Sequence, residues 1–208
     1  MDVLKPSRTN LSANLLDLEV KSLYLTAANS GAGTTTCSLA LAKTLSETYS
    51  QKVVLIDGST EPTSLTHKLG LQDQPGFFDC LTSNRLDIKT LAFPYLDGET
   101  FHFVPAGILD KPKFCSGVLP GTTTECLGQL VQEYDFILYD APSVYAECSH
   151  PTLAAGFGGA ILVINNNDTR KDVVFSVQDL FHQINVNVVG TMFNRRRYYV
   201  PSWLYRLI

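Results

Sequence analysis

The 208-residue sequence predicts an α/β fold: a three-layer, mostly parallel sheet with helices on both faces. Three observations lead there. Strand-length runs such as "KVVLID" (52–57), "DFILYD" (135–140) and "GAILVI" (159–164) are apolar along their whole length, as strands covered on both sides must be. Each is followed by a turn and then a segment of helical spacing, the alternation expected of a parallel sheet. With 45% hydrophobic and 17% charged residues, the chain has the composition of a globular domain able to bury one substantial core.

In chain order, "SLYLTA" (22–27) is a strand leading through a glycine-rich turn into a helix over Thr35 to Tyr49. "KVVLID" (52–57) is the second strand, followed by a loop and a helix near Thr63 to Leu69. The segment from Leu81 to Glu99 is irregular and its elements are not assigned. "FHFVPAG" (101–107) is a third strand, followed by a proline-rich loop and a helix near Thr123 to Glu133. "DFILYD", "GAILVI" and "VNVVGTMF" (186–193) complete the strands, with helices at 149–156 and 169–184. Crossovers between parallel strands are right-handed, and ligands in such sheets sit beyond the C-terminal strand ends.

Composition removes several function classes. The longest apolar runs, such as "AILVI" (160–164), are far too short to span a bilayer, and "MDVLKPSRTN" has no apolar signal region, so the cytoplasm is expected. Cys37, Cys80, Cys115, Cys126 and Cys148 are an odd set without C-x-x-C spacing, read as reduced, structural side chains. A net charge of −4 argues against nucleic acid as a partner, although "NRRRYY" (194–199) is locally basic.

The stretch "LTAANSGAGTTTCSLALAKTL" (25–45) has the layout of a phosphate loop. Gly31 and Gly33 let the backbone turn tightly. Ser30, Ala32, Thr34, Thr35 and Thr36 complete the loop and open a helix whose first N–H groups lack internal partners and favour an anion. Thr35 occupies the slot of the hydroxyl that ligates magnesium. Thr34 stands where such loops carry a lysine, and loss of that cation removes charge stabilisation from phosphoryl transfer. Read alone, the loop admits a second account, a small-residue strand-to-helix turn without a ligand.

Asp57 in "VVLIDGSTEP" and Asp140 in "FILYDAPS" end two strands and face one crevice, where carboxylates hold magnesium or orient and deprotonate a hydroxyl. Each alone also reads as a turn or helix cap. Two strand-end aspartates with a glycine-rich turn after the first strand make a more specific constellation.

These residues resemble the bacterial tyrosine kinases within the ParA/MinD-like P-loop proteins, the cytoplasmic kinases of capsule and exopolysaccharide assembly. "TAANSGAGTTT" is similar to that family's T-S-x-x-P-G-x-G-K-S-T, and "VVLIDGSTEPTSLTHKLGL" to its "LLIDADLRRPSLHKLLGL". "QPGFFDCL" resembles "PGLSDLL", "FVPAG" resembles "LPAG", and "YDFILYDAPSV" resembles "YDYVIIDTPPV". "DTRKDVV" and "VVGTMFNRRR" match the late helix start and the last strand, whose asparagine, here Asn194, lies near the nucleotide base in relatives.

The departures from the family pattern are Thr34 for the loop lysine, Ser59 for a second magnesium-holding aspartate, Glu61 near the usual arginine, and His150 for an aspartate. Asp57 and Asp140 remain as residual catalytic and, with Thr35, metal-holding positions. The resemblance therefore implies a P-loop unit over 21–194 that binds ATP or ADP with Mg2+ weakly or not at all, and a pseudokinase. An active protein-tyrosine kinase or ATPase with a non-standard phosphate loop, and a MinD-like membrane-associated positioning ATPase, are the alternatives.

The resemblance further implies an N-terminal segment (1–20) in which Asp2, Lys5 and Arg8 keep the spacing and charges of an oligomerisation helix, and a tail (195–208) with Tyr198, Tyr199 and Tyr205 as phosphorylation candidates. Pro201 and Ser202 start a short terminal segment bearing Trp203, Leu204, Leu207 and Ile208. The partners implied are a chain-length-determinant (polysaccharide co-polymerase) membrane protein, a partner kinase and further copies of the chain, at the inner face of the cell membrane.

Overall fold

The computed structural model describes residues 11–82, 87–96, 98–108, 120–146, 151–166 and 168–195. Asp2, Lys5, Arg8, Cys115, Cys148, His150, Tyr198, Tyr199, Tyr205 and the segment 201–208 lie outside them.

Seven strands form one sheet: β1 (Ser22–Ala27), β2 (Val53–Asp57), β3 (Phe93–Pro94), β4 (His102–Val104), β5 (Phe136–Asp140), β6 (Gly159–Asn165) and β7 (Val188–Asn194). Their order is β3-β4-β2-β5-β1-β6-β7, parallel throughout except for the β3–β4 pair at one edge. Among the described residues the helices are α1 (Leu11–Asp17), α2 (Thr34–Lys43), α3 (Leu65–Lys68), α4 (Phe77–Thr82), α5 (Pro120–Leu130) and α6 (Lys171–Gln183).

The continuously apolar strands are sorted onto two faces by the two-residue period of a strand. Tyr24, Val54, Ile56, Ile137 and Tyr139 join Phe77 and Phe78 of α4, Leu127 of α5 and Phe181 of α6 in one core layer. Their neighbours Leu23, Leu25, Val53, Leu55, Phe136 and Leu138 meet Leu15 of α1, Leu41 of α2 and Leu45 of the turn that follows it in the other. Leu15, inside the 1–20 segment, is thus part of the core. Cys37, Cys80 and Cys126 are free and buried, in keeping with a structural role. Among the described residues no helix is long and apolar enough to cross a membrane.

The expected helix over Thr35 to Tyr49 is present, but its last turn, Thr44–Thr48, is a π-helix. Thr44 Oγ1 donates to the Ala40 carbonyl and Ser46 Oγ to that of Lys43, contacts that compete with the regular backbone ladder. The strand expected over 101–107 stops at Val104, because the Pro105 and Ala106 carbonyls instead accept from Phe77 and Phe78 N–H at the start of α4. The segment from Leu81 to Glu99 holds the end of α4, a 3-10 turn (Ile88–Leu91) and β3. Of the helix expected over 149–156, the described part, Pro151–Gly156, is a 3-10 turn.

Candidate functional site: a hydroxyl-lined cleft at the strand ends

β1 ends at Ala27 and the chain turns through Gly31 (φ 76) and Gly33 (φ 87) into α2. Gly33 is required twice over. It caps the helix in a left-handed conformation, and a Cβ there would collide with Asn194 Nδ2. The first bond within the helix runs from Cys37 N–H to the Gly33 carbonyl at 3.0 Å, so the N–H groups of Thr34, Thr35 and Thr36 are free of helix partners and point out of its N-terminus.

That terminus forms one wall of a cleft of about 240 Å³ lined by Ser30, Gly31, Gly33, Thr34 and Thr35, with Ser59, Glu61 and Ser64 opposite and Asp140 and Ser143 at the base. Ala32 and Thr36 belong to the loop but not to the lining; Ala32 is buried and Thr36 exposed. Asn194 holds the loop from behind: its Nδ2 donates to the Ala32 carbonyl at 2.8 Å and its Oδ1 accepts from Arg195 N–H at 2.8 Å.

Asp57 and Asp140 are register partners on β2 and β5, yet their surroundings separate their roles. Asp57 is fully buried and lies outside the lining. Its Oδ2 accepts from Thr66 N–H and Thr66 Oγ1, both at 2.7 Å, and its Oδ1 from Ser59 N–H at 3.1 Å. Thr66 Oγ1 in turn accepts from Ala106 N–H at 2.9 Å, so Asp57 knits α3 to the end of β4. Burial raises the Asp57 pKa, and the Thr66 and Ser59 bonds oppose the rise.

Asp140, 3% exposed, faces the cleft and accepts from Ser38 Oγ at 2.9 Å. Burial, and then the charge of Asp57, push its pKa up to about 7, against hydrogen bonds from Thr35 and Ser38 and the positive charge of Lys68. Thr35 and Asp140 are therefore the two predicted metal-holding residues that the fold brings together at the cleft. Among the described residues no group of three or more His, Cys, Asp or Glu could cage a metal. A magnesium held here would rest on one hydroxyl, one carboxylate and oxygens of its ligand.

Four bonds tie the segment after β5 to the start of the loop. Ala141 N–H donates to the Leu25 carbonyl (2.8 Å), Thr26 Oγ1 to the Pro142 carbonyl (2.7 Å), and Val144 N–H to the Ala27 carbonyl (2.8 Å). The fourth joins Ser30 and Ser143 through their hydroxyls at 3.0 Å. Both serines stand where the resembled patterns carry proline. A side chain on Gly58, next to Asp57, would strike the Tyr139 ring, so the larger Tyr139 and the absent Cβ fit one another.

Comparison with known proteins agrees with this geometry. No family model matches the chain. Over 199 residues it is 24% identical to the tyrosine-protein kinase YwqD of Bacillus subtilis, covering 91% of this chain and 78% of that protein. It is 25% identical to the putative tyrosine-protein kinase AmsA of Erwinia amylovora over 93% of this chain but only 26% of AmsA. The crystal structure of the VpsO kinase domain superposes with a TM-score of 0.75 at 26% identity, covering 90% of this chain and 91% of that one. The chain is a relative of the bacterial tyrosine kinases.

The fold neighbours of this kinase relative extend to the MinD/ParA P-loop ATPases. MinD of Pyrococcus horikoshii, solved with Mg-ADP, has a TM-score of 0.63 at 20% identity, covering 89% of this chain and 76% of that one. The phosphate-loop layout and the two strand-end aspartates were legible in sequence. Thr66, Ser38, the Ser30–Ser143 contact and the link from Thr169 Oγ1 to Asn29 Oδ1 (2.7 Å) were not. Only the two serines left a signal, as paired departures from proline.

Proposed function

We propose that the chain is a kinase-derived regulatory subunit, a pseudokinase that keeps a nucleotide cleft and acts by binding other proteins in exopolysaccharide or capsule biosynthesis or export. The observation that carries this reading is the make-up of the cleft. Among the described residues lining it there is no lysine or arginine; Thr34 heads α2, and the acidic Glu61 stands on the facing wall.

The donor set suits a bound phosphate group. Left-handed Gly31 and Gly33, the free N–H groups of Thr34 to Thr36 and the surrounding hydroxyls support the reading as an anion seat, in which Thr35 and Asp140 would hold magnesium. Bound Mg-nucleotide would supply an electrophilic phosphoryl group. Among the described lining residues there is no cationic side chain to stabilise the charge that grows on that group during transfer. Asp140, with its raised pKa, can hold a proton, while Asp57 is committed to Thr66 and braces α3.

The polysaccharide context and its partners, a chain-length-determinant membrane protein and a partner kinase, rest on the family resemblance, as does a place at the inner membrane face. Titration calorimetry with Mg-nucleotide should show binding, and the protein incubated alone with Mg-ATP should give no phosphotyrosine signal on a blot. Self-phosphorylation that disappears in an Asp140→Asn variant would overturn the proposal.

A further inference from the structure

We infer that the cleft selects a nucleoside diphosphate over the corresponding triphosphate, an inference that rests on reading it as a nucleotide site. The donors that attract an anion are gathered at one end. They are the Gly33 cap and the Thr34, Thr35 and Thr36 N–H groups, in a helix whose first internal bond begins at Cys37. A helix N-terminus carries about half an elementary charge, and its influence fades within the first turn. It favours the phosphate seated on it far more than the next one outward.

The lining residues that follow β2 offer no cation to a further phosphate. Ser59, Thr63 and Ser64 are neutral, and Glu61, exposed at the cleft, is an acid. A third phosphate brings another negative charge and must shed water, yet meets no cationic side chain among the described lining residues. The same third phosphate would gain most from the lysine that Thr34 replaces. The net result is a site that holds the shorter polyphosphate better.

Titration calorimetry with Mg-ADP and Mg-ATP tests the inference, with Mg-pyrophosphate and Mg-tripolyphosphate as base-free probes. Mg-ADP should bind at least about tenfold more tightly than Mg-ATP, with the same order for the base-free pair. Glu61→Arg should bring the two nucleotides to within about threefold of each other; Glu61 is exposed, so this variant tests charge rather than folding. Mg-ATP binding as tight as Mg-ADP overturns the selectivity and leaves the nucleotide site standing. An unchanged ratio in Glu61→Arg overturns the argument that the charge of the residues after β2 sets the preference. Failure of every probe to bind at millimolar concentration removes the nucleotide site itself, and the selectivity with it.

Discussion

Asp140→Asn should make the protein more stable at neutral and alkaline pH, although it removes the most functional-looking carboxylate in the cleft. The Asp140 carboxyl is buried beside Asp57, and its pKa rises from 3.8 to about 7 on folding. A group whose folded pKa lies above its unfolded value stabilises the fold fully below the unfolded pKa, and that contribution is lost as pH rises through the folded one. For Asp140 the loss therefore runs from about pH 4 to about pH 7. Asparagine mimics the protonated carboxyl and keeps an acceptor for Ser38 Oγ at 2.9 Å. With about 1.4 kcal/mol per pH unit of linkage, the advantage of the variant should widen by about 2 to 3 kcal/mol between pH 5 and pH 8. Urea unfolding of both proteins at a series of pH values measures it. A stability difference that stays constant across that range would refute the argument that Asp140 is held in an environment hostile to its charge.

Two further predictions concern the bracing of the cleft. Thr66→Val strips a hydrogen bond from the buried Asp57 carboxylate and orphans the Ala106 N–H, so it should cost about 3 kcal/mol in urea unfolding, whereas Thr66→Ser should lose about 1 kcal/mol or less; equal losses in the two variants would remove the hydroxyl from the account. For the Ser30–Ser143 contact, each alanine variant should cost about 1 kcal/mol and the pair less than the sum by at least about 0.5 kcal/mol. Strict additivity in that cycle would show that the two hydroxyls do not act together.

The fold was legible because its signal is local and repeated. Five of the strands are runs long enough to be recognised singly, and the two-sided burial of Tyr24 against Leu23 and Leu25 follows from the pleat. The short β3 was not legible, since its two residues, Phe93 and Pro94, carry no period, and it exists only by pairing with β4. Helix α4 was missed for a related reason. Six residues are too few to show helical spacing, and its first N–H groups are satisfied by the Pro105 and Ala106 carbonyls of a distant loop.

The candidate site divides in the same way. Gly31, Gly33 and the following threonines announce a phosphate-loop layout through conformational need alone, and they do form the cleft wall. Asp57 and Asp140 are equivalent in sequence, each closing an apolar strand before a small residue. The difference between them arises from Thr66, nine positions beyond Asp57, and from Ser38, 102 positions before Asp140.

By itself, then, the sequence determined the layered sheet, the turn that opens α2 and the absence of a lysine at position 34, because these depend on residue types within a few positions of one another. Tertiary structure alone decided that Asp57 is sealed while Asp140 meets the cleft, that Asn194 props the loop, and that Ser30 touches Ser143 across 113 positions. Burial and hydrogen bonding are set by whatever the fold brings alongside a group, and that information is spread over the whole chain.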